Sequence, residues 1–416
     1  MIRPSGHGSD VQQESTGCPL KTSLSLSNVA RRLDVASSDV WRVHDDALEM
    51  KRRGEDVILL SVGDPDFRTP EPIIDNAVSH MRVGRTHYSP ALGEIDLRRA
   101  VADLETRMSP HPCGSDEVAI LPGATSAIHV VMSCLLDAGD EIIIIDPMYV
   151  GYPSIMRAID ASVVRVRSRA DNGFEPVMED IHDAVTGNTK VVFMNTPGNP
   201  TGTIIGRNRL RAMARFCYDH DLWLVCDEVY SMFTFEKPHI SIRAASERLD
   251  NIVMIDGLSK SHAMSGWRMG WVVAPPSLIR HVGNYAAMSL FGSPQFIQDA
   301  AAFALNNDEY YVREMCAEYK ARRDVVCERL SAMPGIRFHR PAAGMFIMID
   351  VSAINPDDAA FARDLLERQK VSVVPGSGFG DSTRGHVRFS LTQPVETLRE
   401  GCERLGRYLE DNSRRT

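Results

Sequence analysis

Short apolar runs rich in β-branched residues recur along this chain, and each ends at a polar or turn-forming residue. Residues 118–121 stop before Gly123, 141–145 at Asp146-Pro147, and 190–194 at Asn195-Thr196-Pro197. Residues 222–226 stop at Asp227-Glu228 and 251–255 at Asp256-Gly257. Helical stretches lie between them, one from about Thr125 to Leu136. Runs apolar on both faces fit an α/β architecture, a mostly parallel sheet covered by helices. In open sheets of that kind ligands bind beyond the carboxyl ends of the strands. The run-ending residues are therefore the first candidates for a site. Ahead of this region a helix is expected over 36–54 and a short strand over 57–62. After it come a long helical stretch over 294–331 and a smaller α+β unit, with strands near 344–351, 371–374 and 386–390.

At 416 residues the chain suits a large domain with a smaller companion, and a core of that size needs no disulfide or metal. The eight cysteines (Cys18, Cys113, Cys134, Cys217, Cys226, Cys316, Cys327 and Cys402) form no CxxC pair and have no zinc-type spacing with histidine. No metal site is expected. With no apolar leader at the N-terminus, scattered cysteines read as reduced thiols of a cytoplasmic protein. No apolar stretch is long enough for a bilayer. The net charge of −9 argues against nucleic acid, because phosphate neutralisation needs a basic surface. Residues 1–28, polar and rich in Ser and Gly, read as a flexible extension.

Of the seven lysines, only Lys260 lies just beyond a buried run between small neighbours. A lysine forms a Schiff base only as the free amine, and burial or a nearby cation can lower its pKa from about 10.4. Arg268, further along the same segment, has the planar fork that pairs with phosphate. The plainer alternative is an exposed loop lysine and a surface arginine. Asp227 ends a run, with Tyr230 shortly after. A buried carboxylate needs a partner, and a pyridinium nitrogen would serve, whereas an N-cap or strand-end turn is the ordinary use of Asp. Asn199, in Asn199-Pro-Thr-Gly202, either bonds its own backbone or offers an amide to a phenolic oxygen. Gly123-Ala-Thr-Ser-Ala127 opens a helix whose free N–H groups could bind phosphate, a role compatible with capping by Thr125. There is no G-x-G-x-x-G, which disfavours a dinucleotide. Arg388, on an apolar run, needs an anion, either a substrate carboxylate or a structural one. Tyr149 could stack on a flat ring or fill the core.

Taken in order, GDPDF at 63–67, HYSPALG at 87–93, GATSA at 123–127, NPTG at 199–202, DEVY at 227–230, SKSHAMSGWR at 259–268 and VRFS at 387–390 resemble the class I aminotransferases of pyridoxal-phosphate fold type I. The resemblance runs from about residue 35 to the end. It implies a mostly parallel sheet of the seven-stranded type with helices on both faces, plus a smaller α+β domain. Residues 29–60 would be an N-terminal arm and helix packing with the small domain, 61–295 the large cofactor-binding domain, and 296–416 the small C-terminal domain. The implied cofactor is pyridoxal 5′-phosphate, and the implied substrates are an amino acid and a 2-oxo acid. Lys260 would form the Schiff base and later move the substrate's α-proton. Asp227 would pair with the ring nitrogen, and Asn199 and Tyr230 would hold the ring oxygen. Ala124, Thr125, Ser259 and Arg268 would bind phosphate, and Tyr149 would stack on the ring. Arg388, with Asn199 and the backbone at Gly63, would hold the substrate carboxylate. Tyr88 resembles a tyrosine that reaches the neighbouring subunit's phosphate, which implies a homodimer with shared active sites. Gly257 departs from the pattern, since many members carry a phosphate-binding serine there.

A narrower resemblance, carried by LLSVGDPDF, DPMYVGY, HDLW, GWVVAP, SPQFIQDAA and GMFIMID, is to the arginine:pyruvate transaminases. It would make L-arginine the donor and pyruvate the acceptor, with Asp64, Asp66 and Glu236 as candidate partners for a guanidinium. The shared motifs would also suit a β-lyase or an amino-acid oxidase of the same fold. A transcription regulator built on it would carry an added DNA-binding domain, for which about 28 leading residues leave little room.

Overall fold

The computed structural model describes residues 25–34, 39–307 and 309–413. The extension expected over 1–28 lies outside the described residues as far as position 24. After β1 (Ile58–Leu59) the chain builds a seven-stranded sheet from β2 (Val118–Leu121), β3 (Glu141–Asp146), β4 (Ser162–Arg167), β5 (Thr189–Asn195), β6 (Trp223–Asp227), β7 (Ile252–Gly257) and β8 (Gly270–Val273). Their order is β2-β8-β7-β6-β5-β3-β4. All pairs are parallel except those of β8, which runs antiparallel to β2 and to β7.

The apolar runs are buried on both faces because successive side chains enter two different cores. Val192, Met194, Leu224, Cys226 and Met254 meet the helices Glu71–Arg82, Ile95–Met108, Arg207–Asp219 and Gln295–Asn307. Val191, Phe193, Val225, Val253 and Ile255 meet Ala124–Leu135, Tyr152–Ile159 and Pro276–Ser289 on the other side. Each fully buried Val, Ile or Leu stabilises the fold by about 1.5–3 kcal/mol relative to exposure. Two of the strands, β4 and β8, went unrecognised in the sequence. β4 is an edge strand whose arginines interrupt the apolar run, and β8 is short and opens with glycine.

The smaller unit contains β9 (Arg337–His339), β10 (Phe346–Asp350), β11 (Val371–Ser372), β12 (Val374–Pro375) and β13 (His386–Ser390). An antiparallel sheet runs β12-β13-β10-β9, and β11 pairs in parallel with β1. The single strand expected over 371–374 is thus two strands serving two sheets. The helical stretch over 294–331 is likewise two helices, Gln295–Asn307 and Glu309–Ser331. Ala300, Ala301 and Ala304 of the first join the core of the large sheet, whereas Met315, Tyr319 and Val326 of the second join that of the small one. The chain therefore passes from one core to the other after Asn307. Val43 and Ala47 of the helix Asp39–Arg52 pack into the smaller core as well.

One tie between the units lies at the end of β3. The buried Asp146 carboxylate accepts the backbone N–H groups of Asp381 and Ser382, each at 3.0 Å. Gly380 sits at φ +139°, where an added Cβ would fall 2.2 Å from that carboxylate. The approach therefore requires glycine. No helix among the described residues is long and apolar enough to cross a membrane.

Candidate active site

The carboxyl ends of β5, β6 and β7 and the turn after β2 open onto one cavity of ≈ 370 Å³, which also takes in Gly63 and Arg388. Lys260 stands on the short helix Leu258–Ser261 that follows β7 without a loop. Its Nζ donates to the Gly63 carbonyl at 2.6 Å. Burial brings the amine down to about 8; Arg388 and Arg268 push the same way, while Asp64 and Asp227 oppose them. A useful fraction is therefore the free base near neutral pH.

Asp227 is the last residue of β6. Its Oδ1 accepts the Val229 N–H at 3.1 Å, so the strand-end turn is made. Its Oδ2 accepts the Tyr152 hydroxyl at 2.6 Å, and the carboxylate still borders the cavity. Burial raises it to about 6 against those two hydrogen bonds. Asn199 does not spend its side chain on its own backbone. Its Oδ1 accepts from Arg388 Nη1 at 2.9 Å, and its N–H is held by Asn195 Oδ1 at 2.7 Å. Burial pushes the Tyr230 hydroxyl up, opposed by Arg388 and by the Asn199 amide.

Arg388, on β13, has no carboxylate partner among the described residues. It donates to Ser61 O at 3.0 Å and lies between the rings of Phe346 and Phe379, 4.1 and 4.8 Å from their centroids. Its Nε has no partner among the described residues. Burial lowers the guanidinium to about 10, which leaves it charged at neutral pH. A structural salt bridge is therefore not what occupies this arginine.

At the far end of the cavity the helix Ala124–Leu135 begins at Gly123, φ +82°, with no side-chain cap. Thr125 leaves the capping role unfilled, and the first N–H groups stay open. Arg268 donates to the carbonyls of Ser265 and Pro122 at 2.8 and 3.3 Å. A Cβ on Gly123 would fall 2.5 Å from its Nη2, so glycine is what lets the guanidinium reach the helix start. Ser259 lines the cavity too. At Gly257 an added Cβ would fall 2.7 Å from the Met269 carbonyl. The missing hydroxyl thus follows from how closely β7 and β8 pack, and no side chain fits there unless they shift.

Tyr149 lines the cavity, its ring edge-on to that of Tyr152 at 5.4 Å between centroids. Tyr88 does not line it; the residue is 80% exposed, in an edge-on pair with Phe291 at 4.8 Å. Of the carboxylates considered for a guanidinium, Asp66 is bonded to Arg322 and Tyr319, and Glu236 to Arg323. Asp64 alone of the three borders the cavity. The sequence reading missed Tyr152, Asn195 and Trp41 as cavity residues. The second tyrosine of DPMYVGY and the asparagine ending the run 190–194 were the available signals for the first two.

A sequence profile of aminotransferase class I and II matches residues 55–405. The chain is 41% identical over 382 residues to arginine–pyruvate transaminase AruH of Pseudomonas aeruginosa, spanning 92% of this chain and 97% of that one. It is 35% identical to the aspartate/prephenate aminotransferase of Thermus thermophilus, over 92% and 99% of the two chains. The fold matches a single mutant of Thermus thermophilus aspartate aminotransferase with a TM-score of 0.88 at 33% identity, covering 92% of this chain and 99% of that one. The chain belongs to the class I and II aminotransferases, enzymes that work with pyridoxal 5′-phosphate.

Proposed function

We propose that this aminotransferase moves the amino group of L-arginine to pyruvate, with Lys260 as the amine that holds the cofactor covalently. One observation carries the placement of the cofactor. A single cavity joins a buried amine with a lowered pKa, a buried carboxylate with no cation bonded to it, and an uncapped helix start beside a guanidinium. Pyridoxal 5′-phosphate has an aldehyde, a basic ring nitrogen and a phosphate to match these three groups. The residues fit it.

When bound, the cofactor supplies an electron sink for the charge that develops at the substrate α-carbon. Asp227, ionised above about 6, keeps the ring nitrogen protonated, and Tyr152 steadies that carboxylate. Asn199 and Tyr230 would hold the phenolic oxygen, and Tyr149 would pack beside the ring. The N–H groups at Ala124 and Thr125, with Ser259 and Arg268, would hold the phosphate. Arg388, with Asn199 and the Gly63 backbone, receives the substrate α-carboxylate. Lys260, its Nζ positioned by the Gly63 carbonyl, would take the proton from the substrate α-carbon.

The donor and acceptor rest on the likeness to the arginine–pyruvate enzyme. The exposed Tyr88 and Phe291, with Met288 nearby in sequence, support a surface that a second copy covers, making a homodimer with shared active sites. The free thiols of the described cysteines suit a reducing cytoplasm. The test is a donor screen of the purified enzyme with pyruvate and with 2-oxoglutarate, beside the visible absorbance of bound cofactor. Arginine should be the preferred donor, and Lys260→Ala should lose both the band and turnover. Inactivity with arginine beside other active donors would end the arginine reading. Full activity in Lys260→Ala would end the lysine assignment.

A further inference from the structure

We infer that Asp64 and Trp41 form the subsite for the donor's side chain and select a cationic one, an inference that rests on the placement of cofactor and α-carboxylate given above. Asp66 and Glu236 are already engaged by Arg322 and Arg323. Asp64 is exposed, borders the cavity, and has no bonding partner among the described residues. It follows directly on Gly63, whose carbonyl receives Lys260 Nζ, and its charge is felt by that amine. The other carboxylate on the wall, Asp227, is bonded to Tyr152. The basic side chains on the wall are Lys260, Arg268 and Arg388, each with a role already assigned, and no further Lys or Arg among the described residues borders the cavity. A side chain reaching from the α-carbon toward the mouth therefore meets a carboxylate that is unbonded, and no spare cation, among the described residues.

Trp41 supplies the apolar half of the subsite. It comes from the helix Asp39–Arg52 and borders the same cavity. Its ring lies edge-on to His44 at 5.9 Å, and His44 is hydrogen-bonded to Ser61 Oγ at 2.8 Å. Ser61 O in turn accepts from Arg388. The indole is thereby anchored to the residue whose carbonyl receives the α-carboxylate arginine. An indole face attracts a guanidinium, and a carboxylate matches its planar fork. An ammonium is accepted less specifically, and an acidic side chain is repelled. The methyl of pyruvate asks nothing of Asp64, so both half-reactions fit one cavity. The second carboxylate of 2-oxoglutarate would face Asp64.

The experiment is the donor selectivity of the holoenzyme with pyruvate as acceptor, read as kcat/KM for L-arginine divided by kcat/KM for L-methionine. Asp64→Asn should lower that ratio about ten- to a hundred-fold, the scale of hydrogen bonds to a charged group. Trp41→Leu should lower it about three- to ten-fold. Asp64→Lys should raise activity with L-glutamate above that of the wild type. An unchanged ratio in Asp64→Asn, in an enzyme that uses arginine, overturns the subsite and leaves the arginine reading standing. An equal fall for both donors assigns Asp64 to the lysine amine and also overturns it. A wild type that uses other donors and no cationic one overturns subsite and arginine reading together. Asp64 is exposed and unbonded among the described residues, so its variants should fold.

Discussion

The floor of the cavity and its mouth are built differently. On the floor the polar groups are held: Asp227 by Tyr152 and the Val229 N–H, Asn199 by Asn195 and Arg388, and Arg388 between two phenyl rings. At the mouth Asp64 is unbonded among the described residues, and Trp41 is fixed through a histidine. Tyr88, beyond the wall, is largely exposed. Rate depends on sub-ångström placement of the reacting groups, which favours a packed floor. Substrate choice can change at an open mouth while the floor stays the same. Among the similar enzymes one is named for arginine and pyruvate and another for aspartate and prephenate, so one family serves different substrates.

Floor substitutions should act on all donors alike. The largest effect should come from Lys260→Ala, with turnover falling by about 10⁴-fold or more in single-turnover assays with any donor. Next, Arg388→Lys replaces a planar fork with a point charge in a dry site. It should lower kcat/KM by about 10²–10³-fold, equally for arginine and methionine. A donor-selective loss there would break the comparison.

Tyr152→Phe removes one hydrogen bond from Asp227, and cofactor retention in equilibrium dialysis should weaken about five- to thirty-fold. Because that bond holds the carboxyl down, its loss raises the pKa further, so the acid limb of cofactor retention should move to higher pH.

The smallest effect is on stability. Burial raises Asp227 above the ordinary carboxyl range, so its protonated form is the one the apoprotein fold favours. That stabilisation is full below about pH 4 and is lost as pH rises through about 6. Asp227→Asn imitates the protonated form. At pH 8 the apoprotein variant should therefore unfold with about 2 kcal/mol more stability in urea, although its cofactor binding is impaired. Near-equal stability below about pH 4 and a gain at pH 8 is the pattern to look for.

The floor was legible in the sequence because strand ends announce themselves. A β-branched run that stops at Asp marks both a sheet and its ligand edge; Asp227 stands at such a stop and Lys260 just beyond another, on the helix that follows β7. Arg388 was visible as a charge on an apolar run. What escaped depends on contacts between distant residues. Tyr152 meets Asp227 from 75 positions away, and nothing local marks the pair. Asp64, Asp66 and Glu236 looked alike until Arg322 and Arg323, from one long helix, engaged the last two. Gly257 looked like a lost phosphate ligand until the carbonyl of Met269 showed how little space is there. β8 escaped because it is antiparallel and brief, outside the rhythm of the parallel strands.

Arg388 carries one more consequence. Its guanidinium was stripped of water when the chain folded, between Phe346 and Phe379, with Nε left unmatched. On the placement proposed above, an arriving substrate carboxylate would shed its own hydration and find a counter-ion that has none left to shed. A decarboxylated amine with the same side chain would gain nothing from that encounter. The arginine would then separate amino acids from their corresponding amines before any bond is broken.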